Sequence, residues 1–187
     1  LITKDYIDKN SKIDLYKFFS SRHSIRHFDD TKTIDIDIIK KAVKMAQTSP
    51  SVCNRQSARL YLVEDNLKKQ NILKLQSGNR GFGDKADKIL IVGVDLNCFL
   101  SAGERYQGWI DGGLFSMSLV YALHSFGLGT CCLNWSKESN IDKQLKKEAE
   151  LPKNILVIML IAVGHIPNDL KVAQSNRRNI DDVFEVI

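Results

Sequence analysis

The sequence GERYQGWIDGGLFSMSLVYALHSFGLGTCCLNW occupies residues 103–135 and decides the fold. From Trp109 to Phe126, apolar residues face nearly every side of a helix. This predicts a central core helix, because only burial on several sides removes that much apolar surface from water. Asp111, the Gly112-Gly113 pair and His124 interrupt the run, so we do not expect it to span a membrane.

The residues after this helix predict a turn and then a strand. Gly127-Leu128-Gly129-Thr130 is expected to stop the helix, and the mostly apolar Cys131-Cys132-Leu133-Asn134-Trp135 is expected to form a short buried strand. A helix that turns sharply into a strand leaves backbone amides at the turn available to a flat ligand. A plain buried helix and strand is the alternative that these residues leave open.

Composition indicates one domain with a substantial core over residues 1–187. The chain has 187 residues, 43% hydrophobic and 26% charged, with only three prolines. Its net charge of +5 suits a nucleic-acid partner, but Lys and Arg are interspersed with Asp and Glu. A solvated surface with an anionic small ligand explains the charge equally well, so neither nucleic-acid nor membrane binding is predicted.

The cysteines favour a reducing compartment. The four thiols, at positions 53, 98, 131 and 132, have neither the spacing of a CxxC motif nor that of a disulfide framework. We therefore expect reduced cysteines and a cytoplasmic location. No signal peptide is expected, although the chain begins at Leu1, and whether that is the natural start stays open.

Apolar periodicity predicts the remaining helices and strands. A helix is expected to begin at Ile13, and further helices are expected over residues 35–47, 67–75 and 142–149. Thr33 or Asp35 would cap the second of these helices. Strands are expected over residues 60–63, 88–94 and 155–163.

A first polar cluster follows the N-terminal helix. Arg22 and Arg26 are four residues apart, with His23 and Ser24 between them. Such a cluster suits a phosphate, because Arg offers a forked array of donors and Ser a short adjustable one. A basic surface loop is the alternative.

A second polar loop joins a predicted helix to a predicted strand. Residues 48–56 are dense in amide and hydroxyl groups. An ordinary turn does not need both Asn54 and Gln56. Amides at these two positions can grip a ligand with donors and acceptors together.

Together these motifs resemble those of the nitroreductase-like flavoproteins. Residues 22–28 resemble the family's N-terminal motif, and residues 49–56 resemble its second motif. Residues 127–132 after a long helix, then residues 160–164, and then Arg177 seven residues before Phe184 follow in the family's order. The resemblance extends from about Ser20 to the end of the chain.

The resemblance implies a fold and an assembly. The fold would be α+β, a three-layer sandwich whose mostly antiparallel central sheet is flanked by helices. The protein would be a homodimer, with long central helices at the interface and one FMN in each of two sites built from both subunits. The tail at residues 180–187 would pack on the partner subunit, because Val183, Phe184 and Val186 need burial that an isolated terminus cannot supply.

The resemblance also implies which residues contact the FMN phosphate. Arg22, Ser24 and Arg177 would hold it, with His23 nearby. Arg178 is the alternative to Arg177.

Other residues would contact the flavin ring and its ribityl chain. Arg26 would lie toward the pyrimidine edge, where Asn79 is a further candidate. The other subunit would line the ribityl chain and ring with Pro50, Ser51, Val52, Asn54 and Gln56. Near the reactive nitrogen, the ring would meet backbone groups of Cys132, Leu133 and Asn134.

The sequence departs from the family pattern near the second motif. Ser57 stands where the family usually has Pro, and Ala58 stands where an aromatic residue is common. This leaves the path of the loop, and stacking on the ring, open. We interpret Cys53 as a small space-filling residue rather than a nucleophile. The link at residues 95–103 is short, where many members of the family insert a lid over the substrate.

The implied activity is that of an NAD(P)H-dependent flavin oxidoreductase. NADH or NADPH would deliver hydride to the flavin and depart, and an organic acceptor such as a nitroaromatic or a quinone would then take the electrons, in a ping-pong mechanism. The flavin does the redox work, so no catalytic side chain and no metal is expected. Arg26 would stabilise negative charge on the reduced ring.

Two other functions stay open at this point. One is an enzyme of the same fold that fragments reduced FMN with oxygen, and the other is a non-catalytic FMN-binding protein. The nicotinamide preference and the physiological acceptor also stay open. Just before the central helix lie Glu104, Arg105, Tyr106 and Trp109. Either these residues contact the acceptor, or they only cap and bury the helix.

Overall fold

The computed structural model describes Lys4, Tyr6, Ser11 and residues 13–187. The natural start of the chain, in question at Leu1, lies outside these residues. Residues 13–187 contain helices α1 (Leu15–Ser21), α2 (Ile36–Ala46), α3 (Asn66–Leu75), α4 (Gln107–Ser125) and α5 (Ser139–Glu148). They also contain strands β1 (Ala58–Val63), β2 (Lys88–Asp95), β3 (Leu128–Asn134) and β4 (Ile155–His165).

The four strands form one antiparallel sheet in the order β1-β2-β4-β3. Consecutive residues of β2 enter opposite layers, because strand side chains alternate between the two faces. Ile89 packs with α3 and α5, whereas Leu90 packs with α2 and α4. Helices therefore cover both faces of the sheet, and the predicted α+β three-layer sandwich is confirmed.

Helix α4 packs on the sheet along one face only. Phe115 and Leu119 are buried against the strands. On the opposite face, Trp109 and Ile110 remain 44% and 53% exposed. The prediction that this helix is buried on several sides is therefore wrong for a single chain, although its central place in the layer over β2 is confirmed.

The boundaries of β3 and α5 differ from those predicted. β3 begins at Leu128 rather than Cys131, because residues 128–130 already pair with residues 163–165 of β4. Gly127 alone ends α4, with a φ of +73° that favours glycine. α5 begins at Ser139, three residues before the predicted start.

The segment between β2 and α4 is built from two short 3₁₀ turns, Leu96–Cys98 and Ala102–Glu104. Ser101 and Glu104 form a reciprocal capping box at the second turn. Of the two caps predicted for α2, the Asp35 side chain is the one that accepts from the helix, at Asp37 N. Within the described part of the chain, no helix has both the length and the apolar character that a membrane span needs.

Candidate functional site

The first motif, residues 22–28, runs beside the outer edge of β3 and crosses to the end of β4. Ser24 forms a parallel bridge with Thr130, and Ile25 N donates to Thr130 O at 2.8 Å. Asp29 N then donates to His165 O at 2.9 Å. The segment is thus anchored to two strands.

Two buried side chains hold this segment down. Ile25 and Phe28 are only 4% and 3% exposed. Their close approach requires glycine on the sheet, since a Cβ at Gly129 would lie 2.9 Å from Ile25 Cγ2 and one at Gly164 would lie 2.7 Å from Phe28 Cδ1. Gly129 and Gly164 therefore make room for the first motif.

The outward residues of the first motif meet the C-terminal region in a cavity of about 700 Å³. We call this cavity the arginine hollow. Arg22, His23, Ser24 and Arg177 line it, whereas Arg178 is not among its lining residues. The remaining walls are Tyr16, Phe19, Ser20, Tyr121 and Ser175. The predicted phosphate-binding residues are therefore brought together from both ends of the chain.

The two arginines of the hollow differ in how their nitrogens are satisfied. Arg177 Nη1 donates to Ser175 O at 2.8 Å. Arg22 Nε is buried and has no hydrogen-bond partner among the residues that the structure describes. A buried donor without a partner is costly, so an anion that accepts from Arg22 would stabilise the hollow.

A histidine lies next to the hollow at the last turn of α4. His124 Nε2 is 2.9 Å from Ser21 Oγ, and its ring packs 5.0 Å from that of Phe18. Burial lowers the pKa of His124, and the nearby Arg22 and His23 lower it further. A hydrogen bond to the Phe18 backbone partly opposes this lowering. The permanent positive charge of the hollow comes from its arginines.

The outer edge of β3 leads from the hollow toward Asn134. Thr130 O accepts from Ile25 N, and Asn134 O accepts from Gln76 Nε2 at 3.2 Å. Outward backbone groups alternate along an antiparallel edge strand, so the N–H and C=O of Cys132 also point away from β4. The backbone groups available to a flat ligand therefore lie on the edge of β3. The sequence had predicted them at the turn after α4.

Arg26 and the loop after α3 lie near this edge. The Arg26 guanidinium is 6.0 Å from the centre of the Phe82 ring. Burial raises the pKa of the Cys131 thiol, and the positive charge of Arg26 partly opposes that rise. Arg26 is therefore held beside the strand that carries Cys132.

Asn79 has a structural role in the same loop. Its Nδ2 donates to Leu73 O at 2.8 Å and to Gln76 O at 2.6 Å. The amide nitrogen thus closes the loop on the end of α3. The contact predicted between Asn79 and a flavin stays a prediction.

The second motif is a strained loop. Three of its residues have a left-handed backbone, which residues other than glycine rarely adopt. The φ values are 48° at Cys53, 53° at Asn54 and 49° at Gln56. Ser51 Oγ closes the loop by accepting from Gln56 N at 3.0 Å. Cys53 is exposed, so the interpretation of its side chain as space-filling is wrong.

Polar contacts with α4 and its preceding segment hold this loop. Val52 N donates to both carboxylate oxygens of the buried Asp111, at 3.2 and 3.3 Å. Arg55 Nη1 donates to Cys98 O at 3.0 Å and forms an ion pair with Glu104. Asp111 was visible in the sequence only as an interruption of the apolar run, and nothing in the sequence indicated its partner.

One chain does not bring the two motifs together. Pro50, Ser51 and Gln56 line a separate cavity of about 210 Å³, which also contains Ser57 and Asp111. The arginine hollow shares no lining residue with it. Sequence reasoning missed the buried position of Ser57 and the Phe19–Tyr121 ring stack at 4.4 Å beside the hollow. Within the described residues, no group of three or more His, Cys, Asp and Glu side chains could hold a metal.

Comparison with known proteins agrees with this geometry. Residues 19–91, which include both motifs, match the model of the Nitroreductase family. The chain has the nitroreductase fold, and the family resemblance is confirmed. None of the curated proteins with which the sequence was compared matches it.

Several solved structures share the nitroreductase fold at low sequence identity. A nitroreductase family protein from Streptococcus pneumoniae is 21% identical, with a TM-score of 0.79 over 92% of this chain and 99% of that one. An FMN-dependent nitroreductase from Clostridium difficile is 21% identical, with a TM-score of 0.74 over 89% and 96%. A proposed NAD(P)H:FMN oxidoreductase from Staphylococcus epidermidis is 20% identical, with a TM-score of 0.82 over 93% and 96%.

Proposed function

We propose that the protein binds FMN and catalyses NAD(P)H-dependent reduction of a small organic acceptor. The observation that carries this proposal is the arginine hollow, where Arg22 Nε is buried and unpartnered beside Arg177. A phosphate would supply the missing acceptor and compensate the two positive charges. The names of the C. difficile and S. epidermidis proteins, which share the fold, support the choice of FMN and NAD(P)H.

Residues of this chain would bind and orient the flavin rather than take part in bond making. Arg22, His23, Ser24 and Arg177 would hold the phosphate, and the Cys132 edge of β3 would meet the ring. Arg26 would place a positive charge near the ring and stabilise negative charge there. Bound FMN supplies hydride acceptance from NAD(P)H and electron transfer to the acceptor, so no catalytic side chain is assigned.

We further propose that the active protein is a homodimer, because the second motif and the arginine hollow are separate in one chain. Pro50, Ser51, Val52, Asn54 and Gln56 of one copy would complete the site of the other. The outer face of α4 and the tail support this assembly, since large apolar side chains are exposed on both. They include Ile110 and Leu114 on α4, and Val183, Phe184 and Val186 on the tail.

The test is an absorbance spectrum of the purified protein, followed by anaerobic addition of NADH or NADPH. We expect a yellow protein whose flavin absorbance bleaches on addition of at least one nucleotide and returns with a quinone or nitroaromatic acceptor. A colourless protein that takes up no added FMN would overturn the proposal. Flavin that is consumed during aerobic turnover would indicate the fragmenting activity, and bound flavin that NAD(P)H cannot reduce would indicate a non-catalytic binder.

The role of Arg22 is tested by Arg22→Ala with Arg178→Ala as the control. Loss of a charged hydrogen bond to the phosphate should weaken FMN binding by about 1.5–3 kcal/mol, measured by fluorescence titration of the flavin. Arg178 lies next to Arg177 but outside the hollow, so its substitution should leave the affinity nearly unchanged. Equal affinities for Arg22→Ala and the unsubstituted protein would contradict the assignment.

A further inference from the structure

The cavity of about 210 Å³ beside the second motif contains Ser57 and Asp111, two buried polar residues to which the proposed flavin chemistry gives no role. It lies among the end of α2, the loop at residues 49–51, the start of β1 and one face of α4. We call it the Ser57 cavity. Its volume far exceeds the roughly 10–15 Å³ that one water needs, so it has room for a small organic molecule.

Ser57 lines this cavity and carries an unsatisfied hydroxyl. The residue is 0% exposed, and its Oγ has no hydrogen-bond partner within the described ranges of the chain. Its backbone is fixed, because Asp95 N donates to Ser57 O at 2.9 Å. A buried hydroxyl without a partner is unfavourable, so a ligand that bonds to it would gain free energy that the empty cavity lacks.

Asp111 adds a buried carboxylate to the same cavity. It is 3% exposed, and its Oδ1 accepts from Gln107 Nε2 at 2.8 Å. From the described residues, its Oδ2 accepts only the long bond of 3.2 Å from Val52 N, which leaves acceptor capacity on that oxygen. In the described part of the chain, no Lys, Arg or His side chain forms an ion pair with Asp111.

Arg59 also lines the cavity, but its guanidinium is engaged elsewhere. Its Nη1 donates to Gln56 O and Ala58 O, both at 2.9 Å, and its Nη2 lies 3.4 Å from Asp95 Oδ2. Buried charges in proteins are normally paired, and Asp111 is not. The cavity therefore has room for a cation from outside the chain, which would pair with Asp111.

The remaining walls define the shape of that cation. Ala46 and Phe115 supply apolar surface next to the polar groups. From these observations we propose that the Ser57 cavity binds a primary ammonium on a short apolar stem, with the nitrogen donating to Asp111 and Ser57. This site does not depend on flavin binding, although it shares Pro50, Ser51 and Gln56 with the loop that the proposed function assigns to FMN.

The experiment uses three probes of equal length, n-butylammonium chloride, n-butanol and sodium butyrate. Each is titrated into the full chain while the backbone amide resonances of Val52 and Ser57 are followed by NMR. We expect saturable shifts with butylammonium, binding at least about tenfold weaker with butanol, and none with butyrate, because only the first probe forms charged hydrogen bonds with a carboxylate.

Three variants locate the site. Asp111→Asn keeps an acceptor for Val52 N–H but removes the charge, and should weaken butylammonium binding about tenfold or more. Ser57→Ala removes a single neutral hydrogen bond and should weaken it about fivefold, without lowering stability when the probe is absent. The matched control is Asp37→Asn, at an exposed carboxylate of α2 that pairs with Lys40, and it should leave binding unchanged.

Several results would overturn the proposal. The first is that no probe gives a saturable shift, which would mean that the cavity holds water only. The others are equal binding of all three probes and an unchanged affinity for butylammonium in Ser57→Ala. The titrations are run on flavin-free protein and repeated after FMN saturation. Binding that FMN abolishes would place the probe in the flavin site and also overturn the proposal, whereas failure of the protein to bind FMN would leave the flavin-free result intact.

Discussion

The two polar motifs present their side chains by opposite means. Residues 22–28 are extended and anchored to the sheet, with Ile25 and Phe28 buried beneath them. Residues 50–56 form a loop with left-handed backbone that is held by hydrogen bonds to a carboxylate and by one ion pair. Burial of apolar area is worth more than a few polar contacts, so we expect the first motif to be tied to global stability and the second to respond to local conditions.

The largest expected effect tests the anchor of the first motif. Phe28→Ala leaves a cavity against Gly164 and should lower the free energy of unfolding by about 3–5 kcal/mol, measured by chemical denaturation. Phe126→Ala is the matched control, because that ring is 39% exposed, and it should cost far less. Equal losses in the two variants would mean that the first motif is not anchored by burial.

A smaller effect is expected at the ion pair that braces the second motif. The pKa of Glu104 is lowered mainly by the Leu100 N–H, and further by the Ser101 N–H and by Arg55. A lowered folded-state pKa stabilises the protein fully above the unfolded value of about 4.3 and loses that contribution as the pH falls through the folded value. Glu104→Gln should therefore lower stability at pH 7 by less than Phe28→Ala does.

The pH dependence separates this role from a simple loss of packing. The difference in unfolding free energy between the unsubstituted protein and Glu104→Gln should be constant from pH 7 to about 5 and should shrink below about pH 4. Asp169→Asn, at an exposed carboxylate outside the tail, controls for the change in net charge. A difference that does not vary with pH would show that Glu104 acts through shape alone.

The smallest effect contrasts the backbones of the two motifs. Gln56 has a φ of 49°, so Gln56→Gly should relieve strain and raise stability by up to about 1 kcal/mol in flavin-free protein. Arg26 does not have a positive φ, and Arg26→Gly should lower stability by about 0.5–1 kcal/mol through loss of chain entropy. Thermal unfolding of both variants measures the two changes in stability. A loss of stability in both variants would contradict the idea that the backbone of Gln56 is strained.

The sheet and its helices could be predicted from the sequence because their apolar patterns are long. The run at 155–163 lies within β4, and the periodic residues at 35–47 coincide with α2. β3 was harder, since Gly129 and Thr130 read as turn residues. Gly129 is in the strand because Ile25, more than a hundred positions away, needs the space that a side chain would fill.

The arginine hollow was predictable from the motif order, and the second motif's contacts were not. Arg22 and Arg177 line the same cavity. The pairing of Val52 N with Asp111 depends on how the loop folds onto α4, which has no signature in residue types. Likewise Cys53 has a left-handed backbone, which a cysteine at that position does not favour, and its exposure was not predicted.

The hydrogen bond from Ile25 to Thr130 has a consequence for selectivity. It joins the segment that bears Arg22 to the strand that bears Cys132, so the sheet edge sets the separation between their backbones. In the proposed binding mode, with the phosphate at Arg22 and the ring at Cys132, this separation would select ligands by their length. Among compounds with the same ring, those too short to reach from Arg22 to Cys132, or too long to fit between them, would be rejected on length alone.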